Sequence, residues 1–372
     1  MSPETYGAEQ ISASPTSCAK HVVVSIEPGS YKGWPANYGM WAWGKELLVM
    51  FEDCKMDISD LDGHTYDRSV PFYMEQARSL DGGETWTRER NPILKPGGWG
   101  RPWNGLNGPE VRDLTETIDF LQPDFALLFR SAHHVYGPHY YYFTRDRGRT
   151  WEGPYSLPDW GYATVNARTD YIVLGKGECI AFLSGKQEEV TEDGAEVFMI
   201  RTQNGGMTWE RVARANRPTP RLEKGKVNFT IMPSSIRLES GNLVSCGRCT
   251  NTLEKRFWIE VWSSEDDGET WQYLSVVDTS NSSTPPSATL LPDGRIVVTY
   301  GFRVPPYGIR ARISSDGGAK WSDEIVLRED GGNFDIGYTR NALLPDGNIV
   351  TSYYWNYDRT KERSIEATIW TP

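Results

Sequence analysis

The stretch SLDGGETW at 79–86 decides the fold, because it returns as TRDRGRTW (144–151), TQNGGMTW (202–209), SEDDGETW (264–271) and SSDGGAKW (314–321). Each copy has Ser or Thr first, Asp or Asn third, Gly fifth and Trp last. A short Asp or Asn side chain accepts hydrogen bonds from backbone N–H groups just ahead of it, Gly supplies a positive φ, and Trp caps the loop against a sheet. Strand-like segments precede the copies, as in YYYFT (140–144), VFMIRT (197–202) and WIEVWS (258–263). The device therefore reads as a hairpin lock joining the last two strands of a repeated unit.

A second turn recurs ahead of the last three locks, as LGKGE (174–178), LESGN (238–242) and LPDGR (291–295), and once more as LPDGN (344–348) with no lock after it. Each repeat then reads strand, Gly turn, strand, loop, strand, lock, strand. A period of roughly 50 to 65 residues marks an array, and radial repetition of four-stranded units gives a β-propeller. Five locked blades and a sixth at 336–370 predict an all-β, six-bladed propeller of antiparallel blades. The last blade lacks a fourth strand, and HVVVSIE (21–27) is free to supply it and close the ring. The domain reading is an N-terminal tail at 1–20 and a single propeller at 21–372.

The apolar runs are short, FALLF (125–129) and HVVVSI (21–26) among them, and none approaches a membrane span. A formal charge of −11 argues against nucleic acid or an anionic membrane as partner, while a small anionic substrate stays open if a few Arg gather at one spot. The first twenty residues lack a basic start followed by an apolar core. As written, the expectation is a cytoplasmic protein, or an exported one if a leader has been removed. Five cysteines, mostly in or beside predicted strands, read as reduced thiols. The CGRC at 246–249 has ligand spacing but no second Cys/His pair, so no metal site is expected, and no phosphate-binding loop or other cofactor motif is present.

Both kinds of turn fall on one end of the barrel, which leaves the starts of first strands and the ends of second strands on the other, functional face. With its repeated Asp boxes the chain resembles the sialidase superfamily of six-bladed propellers over roughly 20–372. The resemblance implies a Tyr nucleophile activated by a Glu, an Asp acid/base and three Arg that clamp a carboxylate. In GYTRNALLPDG (337–347), Tyr338 stands at the nucleophile position. Asp67 in HTYDRSVPFYMEQARS stands at that of the acid/base, with Asp57, Asp60 and Asp62 as local competitors. Arg248 in GNLVSCGRC (241–249) fits one clamp position, and Arg303 or Arg310 in the fifth blade another. Arg suits the role because its planar fork matches a carboxylate with two parallel hydrogen bonds.

The departures are equally specific. GWPANYGMWAWGKELL (33–48) has no Arg where the family has an Arg-Ile-Pro motif, although Glu52 fits the following strand, and Met232 stands where the activating Glu belongs. Arg168 in ARTDYIVLGKG is an unexpected cation in the same ring of positions, with Lys32 and Lys186 as further sources of charge. The first reading is an exo-acting glycoside hydrolase of sialidase type that takes a terminal, anionic sugar. A second is a propeller uronate lyase or rhamnosidase using His, for which RSAHHVYGPHYYYF (130–143) offers His133, His134 and His139. A third is a non-catalytic carbohydrate-binding propeller with Trp34, Trp99, Trp103 and Trp160 as stacking platforms. The irregular segment LKPGGWGRPWNGLNGPEVRD (94–113) is expected over the mouth of the site, with Asn104, Asn107 and Glu110 in reach of a sugar.

Overall fold

The structure, a computed structural model, describes residues 19–61, 63–70, 72–90, 111–131, 139–186, 195–216, 228–251, 254–280 and 284–372. Strand β1 (Lys20–Ser25) comes first in the chain but belongs to the last blade. Blade 1 holds β2 (Ser30–Gly33), a one-turn helix α1 (Pro35–Tyr38), β3 (Gly39–Trp43), β4 (Glu46–Lys55), β5 (Tyr73–Ser79) and β6 (Thr87–Glu89). Blade 2 shows three strands among the described residues, β7 (Ala126–Ser131), β8 (His139–Thr144) and β9 (Glu152–Ser156). Blade 3 holds β10 (Thr164–Asn166), β11 (Tyr171–Gly175), β12 (Glu178–Lys186), β13 (Glu196–Thr202) and β14 (Glu210–Arg214). Blade 4 runs β15 (Asn228–Arg237), β16 (Leu243–Asn251), β17 (Arg256–Ser264) and β18 (Gln272–Asp278). Blade 5 runs β19 (Ser287–Leu290), β20 (Ile296–Phe302), β21 (Gly308–Ser314) and β22 (Ile325–Arg328). Blade 6 is β23 (Gly337–Leu343), β24 (Ile349–Trp355) and β25 (Ser364–Trp370), completed by β1.

The ring is closed as the sequence predicts. Strand β1 lies antiparallel on β25, from Lys20 opposite Ile369 to Ser25 opposite Ile365.

The locks are hydrogen-bonded as their residue types require. In the first, Gly83 N–H donates to Ser79 Oγ at 2.8 Å, and Asp81 accepts from Thr85 N–H at 2.9 Å and from its hydroxyl at 2.6 Å. The same pattern repeats around Thr144 and Ser264, around Thr202 with Asn204 Nδ2 donating to the Thr208 hydroxyl instead of accepting from it, and around Ser314 without the hydroxyl donor. The lock glycine also serves the joint with the preceding blade. A Cβ on Gly148 in blade 2 would lie 2.3 Å from Leu48 of blade 1, so the lock seats where only hydrogen fits.

The core is divided among the joints. Six apolar clusters fill the joints between neighbouring blades, and the one between blades 6 and 1 also takes in Ile231 and Met232 of blade 4. In ELLVMFE, Leu47, Val49 and Phe51 face blade 6, while Leu48 and Met50 face blade 2. A strand buried on both faces reads as a continuous apolar run, which is why strict alternation is missing from the sequence. None of the four described cysteines forms a disulfide, and Cys54, Cys179, Cys246 and Cys249 are all buried.

First strands adjoin one another around the axis, β3 against β23, β23 against β19, β19 against β15 and β15 against β11. Most of them are interrupted on the way. Blade 1 breaks between β2 and β3, blade 3 between β10 and β11, and β15 and β23 carry bulges at 231–234 and 337–340. These interruptions set the position of the site.

Candidate active site

A strand that stays regular sends its side chains into the blade joints, whereas a break frees residues to turn toward the mouth of the ring. Trp34, Met232 and Tyr338 all adopt the left-handed conformation at the breaks of blades 1, 4 and 6, with φ of 56°, 58° and 57°. For residues with large side chains this is an uncommon and costly state. All three side chains are buried and belong to one apolar cluster. The break in blade 3 carries Arg168.

One side chain ties three of these breaks together. The Arg340 guanidinium donates to the carbonyl of Ala36 at 2.8 Å and to that of Thr169, which joins the turn after Trp34 and the residue after Arg168 to the Tyr338 bulge. Below it, Asp170 accepts from Ser235 N–H at 3.1 Å and from its hydroxyl at 2.7 Å. Asp170, Ser235, Arg340 and their neighbours line an axial cavity of about 290 Å³. Burial pushes the Asp170 carboxyl up to about 6, with Arg340 opposing.

Above this floor, cations gather on Tyr338. The Arg303 guanidinium lies 5.5 Å from the Tyr338 ring centre, donates to Ile336 O at 3.0 Å and reaches the Tyr354 hydroxyl at 2.5 Å. Tyr354 in turn packs edge-on against Tyr338, ring centres 5.7 Å apart. Arg248 is in electrostatic contact with Tyr338 and Arg303, and its buried Nε has no hydrogen-bond partner among the described residues. Arg168 is coupled to Tyr338, Arg248 and Glu52. Burial, with a smaller contribution from the neighbouring Arg248, pushes the Arg168 guanidinium down to about 10, against the opposing pull of Tyr338 and Glu52. Glu52 is buried beneath, accepts from the Tyr38 hydroxyl and faces Arg168.

A second network adjoins the first. Asp335, fully buried, accepts from the Tyr354 hydroxyl at 2.8 Å, from Arg363 Nε at 3.1 Å and from the Tyr31 hydroxyl at 3.1 Å. It also lies 2.6 Å from His64 Nδ1. Burial alone would raise this carboxyl, but His64, Arg363 and Arg303 together hold it well below the usual range.

The structure therefore brings Tyr338, Arg168, Arg248, Arg303 and Glu52 together. Arg310 is elsewhere: it pairs with Glu324 at 3.1 Å and donates to the carbonyls of Arg328 and Pro306 inside blade 5. Lys32 is likewise committed, to Asp53 at 3.0 Å and Glu75 at 3.2 Å. Asp67 sits on the loop between β4 and β5, bound by Ser69 and by Lys55 at 3.1 Å, and those hydrogen bonds hold its carboxyl down at about 2. His133 and His134 lie outside the described residues, as do Asp62, Trp99, Trp103, Asn104, Asn107 and Glu110, while His139 is buried in β8. Trp160 donates to the Trp209 carbonyl at 2.9 Å and packs on Phe198, inside a blade joint. Sequence reasoning missed Asp335, Tyr31, Tyr354, His64 and Arg340. The signals on offer were closeness in the chain, of Asp335 and Arg340 to Tyr338 and of His64 to Asp67.

A family model described as a BNR repeat-like domain matches residues 125–350, more than half of the chain. No curated protein matches the sequence. Among solved structures, a Dyadobacter fermentans protein of unknown function superposes with a TM-score of 0.69 at 20% identity, over 95% of this chain and 99% of that one. A Penicillium chrysogenum α-L-arabinanase bound to arabinobiose gives 0.58 at 16% identity, over 92% and 98%. A Trypanosoma rangeli sialidase captured as a covalent intermediate with 2,3-difluorosialic acid gives 0.60 at 13% identity. That likeness covers 96% of this chain but 60% of the sialidase.

Proposed function

Since the chain belongs to the BNR repeat-like family, we propose that it is an exo-acting glycoside hydrolase of sialidase type, cleaving a terminal anionic sugar such as a 2-keto acid. The observation that carries this reading is the gathering of Arg168, Arg248 and Arg303, from three blades, around the buried ring of Tyr338. Glu52 faces Arg168 and Asp335 faces Arg303, which leaves the three half-buried guanidiniums with an excess of positive charge, and a sugar carboxylate supplies a further anion with the matching planar geometry.

The same charge pattern supports Tyr338 as the nucleophile. A carboxylate nucleophile would meet an anionic sugar with like charge in a site that screens poorly, whereas a phenol meets it without that repulsion. Tyr338 would take the anomeric carbon while the arginines hold the carboxylate beside it. The proton for the leaving oxygen would come from the loop between β4 and β5, the segment that carries Asp67. Arg303, fixed by Ile336 O and Tyr354, would position the sugar rather than merely attract it.

Met232 at the place of the activating Glu favours one alternative. Arginines on a uronate carboxylate also acidify the adjacent C–H, so a lyase using His is the second reading. A panel of fluorogenic 2-keto acid glycosides, glucuronides and rhamnosides, together with oligosaccharides in which a uronate is substituted at O4, run with wild type and Tyr338→Phe, decides between them. Sugar release from a keto-acid glycoside that Tyr338→Phe abolishes supports the hydrolase. Ultraviolet absorbance of an unsaturated uronate, with no turnover of keto acids, would replace it with the lyase.

A further inference from the structure

We infer that His64, oriented by Asp335, is the group that exchanges protons with the glycosidic oxygen; this rests on the hydrolase reading and names its acid/base. Among the described residues the imidazole is anchored at one end only. Its Nδ1 lies 2.6 Å from Asp335 Oδ1 and 3.1 Å from the Tyr31 hydroxyl. Because Asp335 is held as an anion by Arg363 and Arg303 as well, Nδ1 must carry a hydrogen, and Nε2 becomes the end that takes up and gives off a proton.

Everything behind His64 is sealed and His64 itself is open. Tyr31, Tyr354, Asp335 and Arg363 are at most fully buried framework, whereas the His64 side chain keeps 30% of its surface exposed. The ring stands edge-on to Trp34, centres 5.2 Å apart and planes at 90°, a contact that steadies the imidazole. Its anchor leads to the nucleophile candidate: Asp335 lies two residues before the Tyr338 bulge, and Asp335 and Tyr354 connect His64 to Arg303, whose guanidinium lies over the Tyr338 ring.

The same loop holds Asp67, whose environment is the opposite. Hydrogen bonds from Ser69 and Lys55 stabilise its anion and hold the carboxyl at about 2, so at neutral pH it has no proton to give. A general acid needs a proton at working pH and a free edge toward the leaving group, and His64 has that edge.

The protons balance with His64 and Tyr338 as a pair. In the reactive form Nε2 carries a proton and the Tyr338 oxygen is a phenolate facing Arg168, Arg248 and Arg303, its own proton having gone to water, so that the nucleophile does not depend on His64. In the first step the Tyr338 oxygen bonds to the anomeric carbon, the glycosidic C–O bond breaks, and the Nε2 proton goes to the departing oxygen. In the second, water attacks the anomeric carbon, its proton goes to Nε2, and the Tyr338 oxygen leaves as the phenolate.

The test is leaving-group dependence in His64→Gln, with folding checked by thermal melting. On glycosides with sugar leaving groups, kcat should fall by about 10² to 10⁴. On nitrophenyl glycosides, whose leaving group needs no proton, the first step should run near the wild-type rate, and azide should accelerate turnover to a glycosyl azide. Equal loss on both classes in a folded His64→Gln protein would overturn the assignment, as would finding this signature in Asp67→Asn instead. If the wild type hydrolyses no glycoside of the panel, the hydrolase reading falls and takes the assignment with it. Wild-type turnover with an indifferent His64→Gln sinks the assignment alone.

Discussion

Met232 and Tyr338 occupy matching bulges, in the first strands of blades 4 and 6, with φ of 58° and 57°, and their side chains enter one apolar cluster. The fold thus offers the same presenting device twice, once with an apolar side chain and once with a phenol. Tyr338→Phe keeps the ring that packs on Tyr354 and under Arg303 and removes only the oxygen. Its melting temperature should stay close to that of the wild type, while kcat on keto-acid glycosides should fall at least about 100-fold.

The buried Nε of Arg248 has no partner among the described residues, which leaves it available to a ligand. Arg248→Ala should lower kcat/KM for anionic sugars by about 1.5 to 3 kcal/mol, roughly 10- to 150-fold. Arg248→Lys should recover only part of this, because a point charge cannot reproduce the two-pronged contact. Neutral glycosides, compared in the same assay, should be insensitive to both substitutions.

Asp170 predicts a pH dependence of stability. Its folded carboxyl, near 6, binds a proton more tightly than an unfolded one near 3.8. The stabilisation is therefore fully present below about pH 4 and is lost as pH rises through 6, a change of about 3 kcal/mol in total. Asp170→Asn should flatten the profile of urea midpoints between pH 4 and 6. A slope that persists in the variant would assign it to other groups.

Gly148 tests the lock as a joint between blades. With φ of +76° and Leu48 at 2.3 Å from an added Cβ, Gly148→Ala carries both a backbone and a packing cost, together about 2 to 4 kcal/mol. Gly44 has a similar φ of +67° but nothing within 4 Å of its added Cβ. Gly44→Ala should cost about 1 to 2 kcal/mol. Equal midpoints in urea for the two variants would mean that the lock does not wedge against blade 1.

The propeller was legible because every lock solves a local problem with the same residues: Asp81 caps, Gly83 turns and Trp86 donates to Gly83 O at 2.8 Å. Strand β1 could be placed because β25 lacked a partner in a repeat whose other members had one. Tyr338, Arg168, Arg248 and Arg303 were found by their place relative to the turns, which fix where first strands begin and second strands end. Arg310 shows the limit of that logic. One position in a strand decides between the mouth and the joint, and Glu324, which claims Arg310, leaves no mark beside it in the sequence. His64 and Asp335 were invisible for a stronger reason. They lie 271 residues apart, and neither carries a local pattern that depends on the other.

Because β1 pairs with β25, and Tyr31 and His64 meet Asp335, the ring and its mouth are assembled from opposite ends of the chain. During synthesis the ribosome adds about 5 to 20 residues per second, so these early segments wait on the order of tens of seconds for their partners. Blades 1 to 5 contain all their described strands in sequence order and can form as they emerge. The catalytic pocket proposed here is then the last part of the protein to exist, and a chain interrupted before Asp335 would carry five finished blades and no active centre.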